Sequence, residues 1–286
     1  MVFLNGSFLP LEQAKVPVLD RGFIFGDGVY ELIPVYSRAP FRMEEHLARL
    51  ERSLGAVRIR NPYPRDKWRE IIVGLVERQP WEDQGIYVQV TRGVAKRDHA
   101  FPEGVEPTVF AMSNPLVNPP AALVEKGASA VSAADNRWLR CDIKSISLIG
   151  NVLLRQVSAD AGAVETILFR DGVLTEASAA NVFVAKNGRL LSPPKSNLIL
   201  PGITYDVVVE IAQQLAIPIE FRDVREAEVR AADEIWLTSS SKEILAVIEL
   251  DGKAVGDGAP GPLFRRAWQG YQDYKRRVMR KESIPA

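Results

Sequence analysis

The stretch Arg140-Cys141-Asp142-Ile143-Lys144-Ser145-Ile146-Ser147-Leu148 places one lysine, Lys144, ahead of a run that stays nearly uncharged as far as Arg155. Apolar neighbours desolvate an amine, which disfavours its charged form and raises the neutral fraction. The neutral amine is the nucleophile that condenses with a carbonyl to give a Schiff base. Alone, a lysine at a strand end reads as a solvated surface group, so Lys144 becomes a candidate only in company. Other chemistries find less support. There is no Walker A pattern, no G-x-S-x-G elbow and no H-E-x-x-H pair. Gly26-Asp27-Gly28 is half a dinucleotide fingerprint, but it precedes a strand instead of opening a helix, and the third glycine is missing. Cys141 has only His46 and His99 as partners for thiol catalysis, and an isolated cysteine is usually packing.

Composition narrows the classes further. The 286 residues suffice for two modest domains and a sizeable core. Lys plus Arg and Asp plus Glu are each 36, so a zero net charge gives no general pull towards nucleic acid or an acidic membrane. One cysteine excludes an internal disulfide framework, and two histidines leave little for a metal site; no metal is expected. The start, Met1-Val2-Phe3-Leu4-Asn5-Gly6, has neither a basic segment nor an apolar run of signal length, and no apolar run approaches the ~18 residues of a membrane span. The expectation is a soluble, cytoplasmic, globular protein, with Asn5-Gly6-Ser7 read as a turn and not as a glycosylation site.

Elements that could position Lys144 follow from periodicity. Asn5-Gly6 between Phe3-Leu4 and Phe8-Leu9 predicts a hairpin. Residues 29–36 read as a strand, demoted to an edge or a bulge by Pro34. Met43, Leu47, Leu50 and Leu54 form a helical stripe, and a second helix covers residues 64–77. Strands are expected at 86–91 and 108–112. The proline-rich run at 113–120 suggests a small N-terminal domain over residues 1–114, a linker over 115–124 and a larger domain over 125–286. The second domain carries a strand near 129–133, a helix at 148–161, hairpins at Asp171-Gly172 and Asn187-Gly188, a helix at 204–215, strands at 217–221, 234–238 and 244–249, and a last helix at 262–280. Hairpins outnumber crossovers, which argues for α+β.

Several of these segments together resemble the signatures of fold-type IV pyridoxal-phosphate enzymes, the branched-chain and D-amino-acid aminotransferase group. The blocks are Asp20 to Glu31, Glu45 to Leu50, Arg137 to Ser145, Leu174 to Phe183, Leu200 to Thr204 and Thr238 to Ile244, in family order and spanning nearly the whole chain. Within that group the likeness is greatest to the D-amino-acid aminotransferases, through Val90 to Pro102 with its Arg97-x-His99 pair. The resemblance implies a two-domain fold and transamination between a D-amino acid such as D-alanine and a 2-oxo acid such as 2-oxoglutarate. The cofactor would be pyridoxal 5'-phosphate held as a Schiff base on Lys144, cycling through pyridoxamine phosphate in a ping-pong route.

Residue by residue, the resemblance makes Lys144 the catalytic base and cofactor anchor, with Glu176 facing the pyridine nitrogen. Arg49, Ile203, Thr204, Ser239 and Ser240 would hold the phosphate. Tyr30, Arg97 and His99 would grip the substrate carboxylate, the last two reaching the site of a partner subunit, so a homodimer is implied. His46 shares a helical face with Arg49 and suits a supporting hydrogen bond. The chain departs from the pattern at Ala179 and Ala180, where serine hydroxyls are lost, and at Pro34 and Lys242; Leu32 is a candidate pocket residue. The alternatives are a branched-chain L-aminotransferase, an R-selective amine transaminase, an aminodeoxychorismate lyase, or a cofactor-free binding protein on the same fold.

Overall fold

In the computed structural model, which describes residues 1–281, the chain forms two units: residues 1–117 with 143–148, and residues 118–142 with those from 149 onward. The architecture is α+β, as the hairpin-rich pattern predicts.

Among the described residues, the first unit is built on a six-stranded antiparallel sheet in the order β2-β1-β6-β5-β3-β4. Strands β1 (Val2–Leu4) and β2 (Ser7–Leu9) make the predicted hairpin, with Asn5 at φ +46° and Gly6 at φ +98°. A short helix α1 (Arg21–Phe25) leads through Gly26 into β3 (Gly28–Tyr36), followed by β4 (Ala39–Pro40), α2 (Met43–Ala56), α3 (Arg65–Glu77), β5 (Gln84–Thr91) and β6 (Thr108–Pro115). The helices bury one face each. Leu47, Leu50 and Leu54 of α2 and Trp68, Ile71, Ile72 and Leu75 of α3 join Val29, Ile33, Val35, Ile86 and Val88 of the sheet in one core.

Pro34 sits in β3 without a bulge, in unbroken register opposite Gly85. Its place follows from the outer side of that strand. Tyr30 N–H points outward to the Lys144 carbonyl (2.9 Å), and Pro34 O accepts from Phe41 N, so by alternation the missing Pro34 N–H also faces outward. Strand β4 pairs only with Val35 and Tyr36, so no ladder bond is lost. The same outer edge takes up residues 143–148: Ser145 bridges Val29, and Ile146 N donates to Gly28 O. A linear boundary placed these residues in the C-terminal domain; β3 pairing brings them into the first unit.

The second unit holds a nine-stranded mixed sheet among the described residues. Its first element is α4 (Ala121–Lys126), which overlaps the end of the span expected as a linker, with Pro120 as its N-cap. Next come β7 (Ala128–Ala134), α5 (Ile149–Asp160), β8 (Glu165–Arg170), β9 (Val173–Ala177), β10 (Asn181–Lys186), β11 (Arg189–Ser192), α6 (Ile203–Gln214) and β12 (Ile219–Phe221). Then follow α7 (Glu226–Arg230), β13 (Glu234–Ser239), β14 (Glu243–Leu250), β15 (Lys253–Ala254) and α8 (Pro262–Tyr274). Helix α8 stops six residues short of its expected end and continues as a π-helical turn, Lys275–Met279. Crossovers through α5 and α6 give the parallel pairs β7–β8 and β11–β12; hairpins make most of the rest.

The antiparallel pair β10–β13 sets Asn181 opposite Thr238. The loop entering β10 and the turn leaving β13 therefore share one end of the sheet. This register carries the second unit's candidate residues together.

Gly93 shows how closely the first unit packs near its loops. It adopts φ +99°, and an added Cβ would lie 2.0 Å from Glu106 O, whereas Gly188 at φ +75° has open space. Gly188→Ala therefore carries only backbone strain, about 1 kcal/mol. Gly93→Ala adds a clash with backbone and is expected to cost roughly 3 kcal/mol or more. Urea unfolding midpoints of the two variants check the order; equal losses would contradict it.

Candidate active site

Lys144 lies alongside β3, its carbonyl bonded to Tyr30 N–H and its own N–H donating to Ser53 Oγ (3.3 Å). Its Nζ stands 4.2 Å from the centre of the Tyr30 ring and forms no ion pair with any described residue. Tyr30 packs against Tyr87 (ring centres 5.6 Å apart), and Tyr87 donates to Gln89 Oε1 (2.7 Å). Burial, with Tyr30 adding to it, pushes the Tyr87 hydroxyl up to about 12, so it remains a donor across the neutral range.

Alternation along β3 sends Glu31 to the opposite face, towards α2. There the carboxylate accepts Arg49 Nε at 2.7 Å and Nη2 at 2.8 Å, and lies 2.8 Å from His46 Nδ1. All three side chains are buried. Burial by itself would raise the Glu31 carboxyl, but the Arg49 charge and hydrogen bonds, followed by those of His46, outweigh it and hold the group far below its usual 4.5. His46 is pushed down, chiefly by burial, and its Nε2 is buried with no hydrogen-bond partner. The neutral imidazole donating from Nδ1 to Glu31 is the tautomer this arrangement favours. Arg49 is thus no surface arginine: its forked edge is set by Glu31. Glu31 received no role from the sequence. The signal that could have found it is an acidic residue at an inward strand position, facing a helix with His46 and Arg49 three residues apart.

In the second unit Glu176, at the end of β9, is buried among donors. Arg137 Nη1 approaches Oε1 at 2.7 Å, while Leu200 N (3.0 Å) and Asn181 Nδ2 (3.2 Å) donate to Oε2. Arg137 is itself shared, gripping Asp135 through Nε (2.9 Å) and Nη2 (3.0 Å). Burial pushes Glu176 up to about 7; Arg137 pulls it down, but part of that charge is spent on Asp135, which burial would raise and Arg137 holds at about 2. Arg137, Asp135 and Asn181 had no assigned role. Asn181 also donates to Leu200 O (2.9 Å), which ties the Glu176 loop to the start of α6.

Helix α6 has Gly202 as N-cap and no side-chain cap, so the Ile203 and Thr204 amides point out with the positive end of the helix dipole behind them. Gly202 is required by proximity: a Cβ there would sit 2.2 Å from Asn181 Oδ1. Across from Asn181, Thr238 Oγ1 is buried with no hydrogen-bond partner among the described residues. In the turn that follows, Ser239 Oγ accepts Lys242 N–H (3.1 Å) and lies 3.4 Å from Ser241 Oγ; Ser240 is half-buried at its tip. Glu176, Asn181, the α6 amides and this turn therefore form one connected group.

Arg97 and His99 are exposed in the loop after β5. Both lie against Phe25, the Arg97 guanidinium 5.4 Å from its ring centre and the His99 ring 5.5 Å away; Arg21 stacks on the same phenyl (4.8 Å) and donates to Asp98 O (2.5 Å). No hydrogen bond or ring contact joins them to Tyr30 or Lys144. Cys141 is buried, donates to Trp138 O (3.2 Å), and burial pushes its thiol up to about 11, so it packs and does not react. Pro34 and Leu32 lie in β3, Leu32 half-buried on the Tyr30 face.

Two sheets with helices, carrying a lysine against a tyrosine and a buried glutamate beside an anion-ready helix start, match an amino-group transfer class. The amino-transferase class IV model matches residues 28–250, and the chain belongs to that family. It is 38% identical to a D-alanine aminotransferase from Bacillus licheniformis over 272 residues, 95% of this chain and 96% of that one. It is 40% identical to a D-alanine aminotransferase from Staphylococcus aureus (strain MW2) over 274 residues, 96% of this chain and 97% of that one. Among solved structures it superposes on an Escherichia coli branched-chain amino acid aminotransferase with TM-score 0.90 and 25% identity, covering 99% and 95% of the two chains. A branched-chain aminotransferase from Thermoproteus uzoniensis with norvaline gives TM-score 0.86 and 26% identity, covering 97% and 94%. No described helix is long and apolar enough to cross a membrane.

Two carboxylates predict opposite pH behaviour. Glu31 is depressed, so its contribution to stability is complete above 4.5 and is lost as pH falls below that value. Glu31→Ala, which removes the buried carboxylate that Arg49 and His46 bond, is expected to cost about 3–5 kcal/mol at neutral pH. The wild-type advantage in denaturant melts shrinks on acidification; an advantage that grows below 4.5 contradicts the assignment. Glu176 is raised, so in the cofactor-free chain its favourable contribution is complete below 4.5 and erodes as pH rises to about 7. Measured against Glu176→Gln, wild-type stability should decline over that interval, and a flat difference would contradict the raised value.

Proposed function

We propose that this chain transfers the amino group of a D-amino acid, such as D-alanine, to a 2-oxo acid, such as 2-oxoglutarate, with pyridoxal 5'-phosphate as its cofactor. The observation that carries the reading is likeness to D-alanine aminotransferases at 38–40% identity over 95–96% of the chain.

The residues present fit such a cofactor. A phosphate needs donors without acceptors, and Ile203 and Thr204 supply two amides, with the unpartnered Thr238 hydroxyl close by in register. Ser239 and Ser240 add hydroxyls and Arg49 a fixed guanidinium. A pyridine nitrogen needs a carboxylate held in place, and Glu176 is held by Arg137, Asn181 and Leu200. A carbonyl needs an amine with no competing carboxylate, and Lys144 has none among the described residues.

When bound, the cofactor supplies an electron sink that stabilises negative charge at the substrate Cα. Lys144 Nζ anchors it and then carries the proton removed from the substrate Cα. Glu176 keeps a proton on the pyridine nitrogen, since opposite charges each favour the other's charged form. Tyr30, Arg97 and His99 bind the substrate carboxylate, Arg97 and His99 serving a second copy of the chain in a homodimer.

Likeness to the branched-chain enzymes in fold supports the rival L-specific reading, at the lower identity of 25–26%. Visible spectroscopy separates the two. D-alanine is expected to shift the cofactor band and L-alanine to leave it; a shift with L alone overturns the proposal. Lys144→Ala should lower steady turnover by about a thousandfold or more. Ordinary turnover in that variant would remove Lys144 from its role.

A further inference from the structure

Two departures from the sequence pattern, Ala179 and Lys242, meet at one buried group. Glu165, the first residue of β8, has a side chain with no exposure to solvent. Its Oε1 accepts Ala179 N–H (3.0 Å) and the Ser178 hydroxyl. Its Oε2 lies 3.0 Å from Lys242 Nζ, an ion contact whose direction falls outside hydrogen-bond geometry, so that oxygen has no hydrogen-bond partner among the described residues. Lys242 is the last residue of the turn that contains Ser239 and Ser240, and its amide donates to Ser239 Oγ (3.1 Å). Ser178 begins the loop that runs from Glu176 to Asn181, and its carbonyl accepts Asn151 Nδ2 (2.8 Å).

One carboxylate thus joins a turn and a loop about 60 residues apart in sequence. The joint is not needed to hold the sheet, because β10 and β13 pair directly from Asn181–Thr238 onward. What it restrains lies beyond the last β10–β13 pair: Ser178 and Ala179 on one side, and on the other the turn up to Lys242 that the Ser239–Glu243 pair closes. Ala179 and Ala180 carry no hydroxyl to bond across this gap, and Lys242 spans it with charge. A buried carboxylate left without a cation is costly, so the turn is held wherever Lys242 can reach Glu165.

We propose that Glu165 and Lys242 are positioning residues that fasten the Ser239–Lys242 turn to the Ser178–Ala180 loop and thereby set the affinity for the cofactor's phosphate. The inference rests on the cofactor reading above. Neither residue touches the reacting atoms. Lys242 acts through the Ser239 and Ser240 hydroxyls, and Glu165 through Lys242 and the Ser178–Ala179 backbone.

The test compares binding of pyridoxal 5'-phosphate and of pyridoxal without its phosphate to the cofactor-stripped full chain, read from the visible band. Lys242→Gln is expected to weaken the phosphorylated ligand about tenfold and the unphosphorylated one by less than about twofold. Lys242→Arg keeps the charge and should retain affinity, which guards against a variant that merely folds poorly. In Lys242→Gln/Glu165→Gln the buried charge is gone while the acceptor for Ser178 and Ala179 remains, and much of the loss should return. Equal weakening of both ligands, or no weakening, overturns the proposal. Absence of any visible band in the wild-type chain overturns the cofactor reading instead, and this proposal with it.

Discussion

A carboxylate removed from water must be met by donors, and much of the arrangement at the candidate site follows from where this chain buries three of them. Glu31 recruits Arg49 and His46 and so fixes α2 against β3. Glu176 recruits Arg137 from before the Lys144 segment, Asn181 from β10 and Leu200 from before α6. Glu165 recruits Ser178, Ala179 and Lys242. Each acid gathers segments distant in sequence, and each leaves its partners in one geometry, because a second arrangement would strand a buried charge. Orientation of the neighbouring amides and hydroxyls is a by-product of that demand.

The three acids differ in how completely they are satisfied, and that sets their electrostatics. Glu31 has two forked bonds from Arg49 and a contact with His46, and stays ionised far below the usual range. Glu176 competes with Asp135 for Arg137 and is pushed up to about 7, so its charge responds to what approaches it. The zero net charge of the whole chain conceals this local spending of arginines on buried acids.

Much of the local structure was legible from the residues. The Asn5-Gly6 hairpin, the Leu47–Leu50–Leu54 stripe and the helix start at Pro201-Gly202 depend on near neighbours, and periodicity and turn chemistry record those. Pro34 was legible as an edge signal because a missing N–H has consequences only where a ladder continues. Helix α4 was not, since Pro119-Pro120 reads equally as a linker and as a helix start, and packing on β14 decides. The transfer of residues 143–148 to the first unit was hidden for the same reason: pairing with Val29 and Gly28 is a long-range event without local pattern. Candidate residues were legible by type, but their supports were not. Nothing near Glu31, Arg137 or Glu165 in sequence points to Arg49, Glu176 or Lys242, because each of those three contacts crosses at least one element, whereas the Arg137–Asp135 pair is local.

That asymmetry bears on how specificity arises in this family. Branched-chain enzymes share the fold at TM-scores of 0.86–0.90 with only 25–26% identity, while D-alanine aminotransferases reach 38–40%, so the backbone alone does not select a substrate. The buried acids hold a guanidinium, a helix start and a carboxylate in place by their own need for donors. Side chains that those supports do not constrain are free to differ. In the first unit these are the Tyr30, Leu32 and Tyr87 face of the sheet and the exposed Arg97–His99 loop, which is anchored through Phe25 and Arg21 instead of a buried acid at its tip. A loop held mainly by ring packing, with Phe25 under Arg97 and Phe101 under Arg92 (3.7 Å), can change its exposed residues without disturbing the core. Buried charge therefore fixes the supports, while the exposed residues of the Arg97–His99 loop are left to vary.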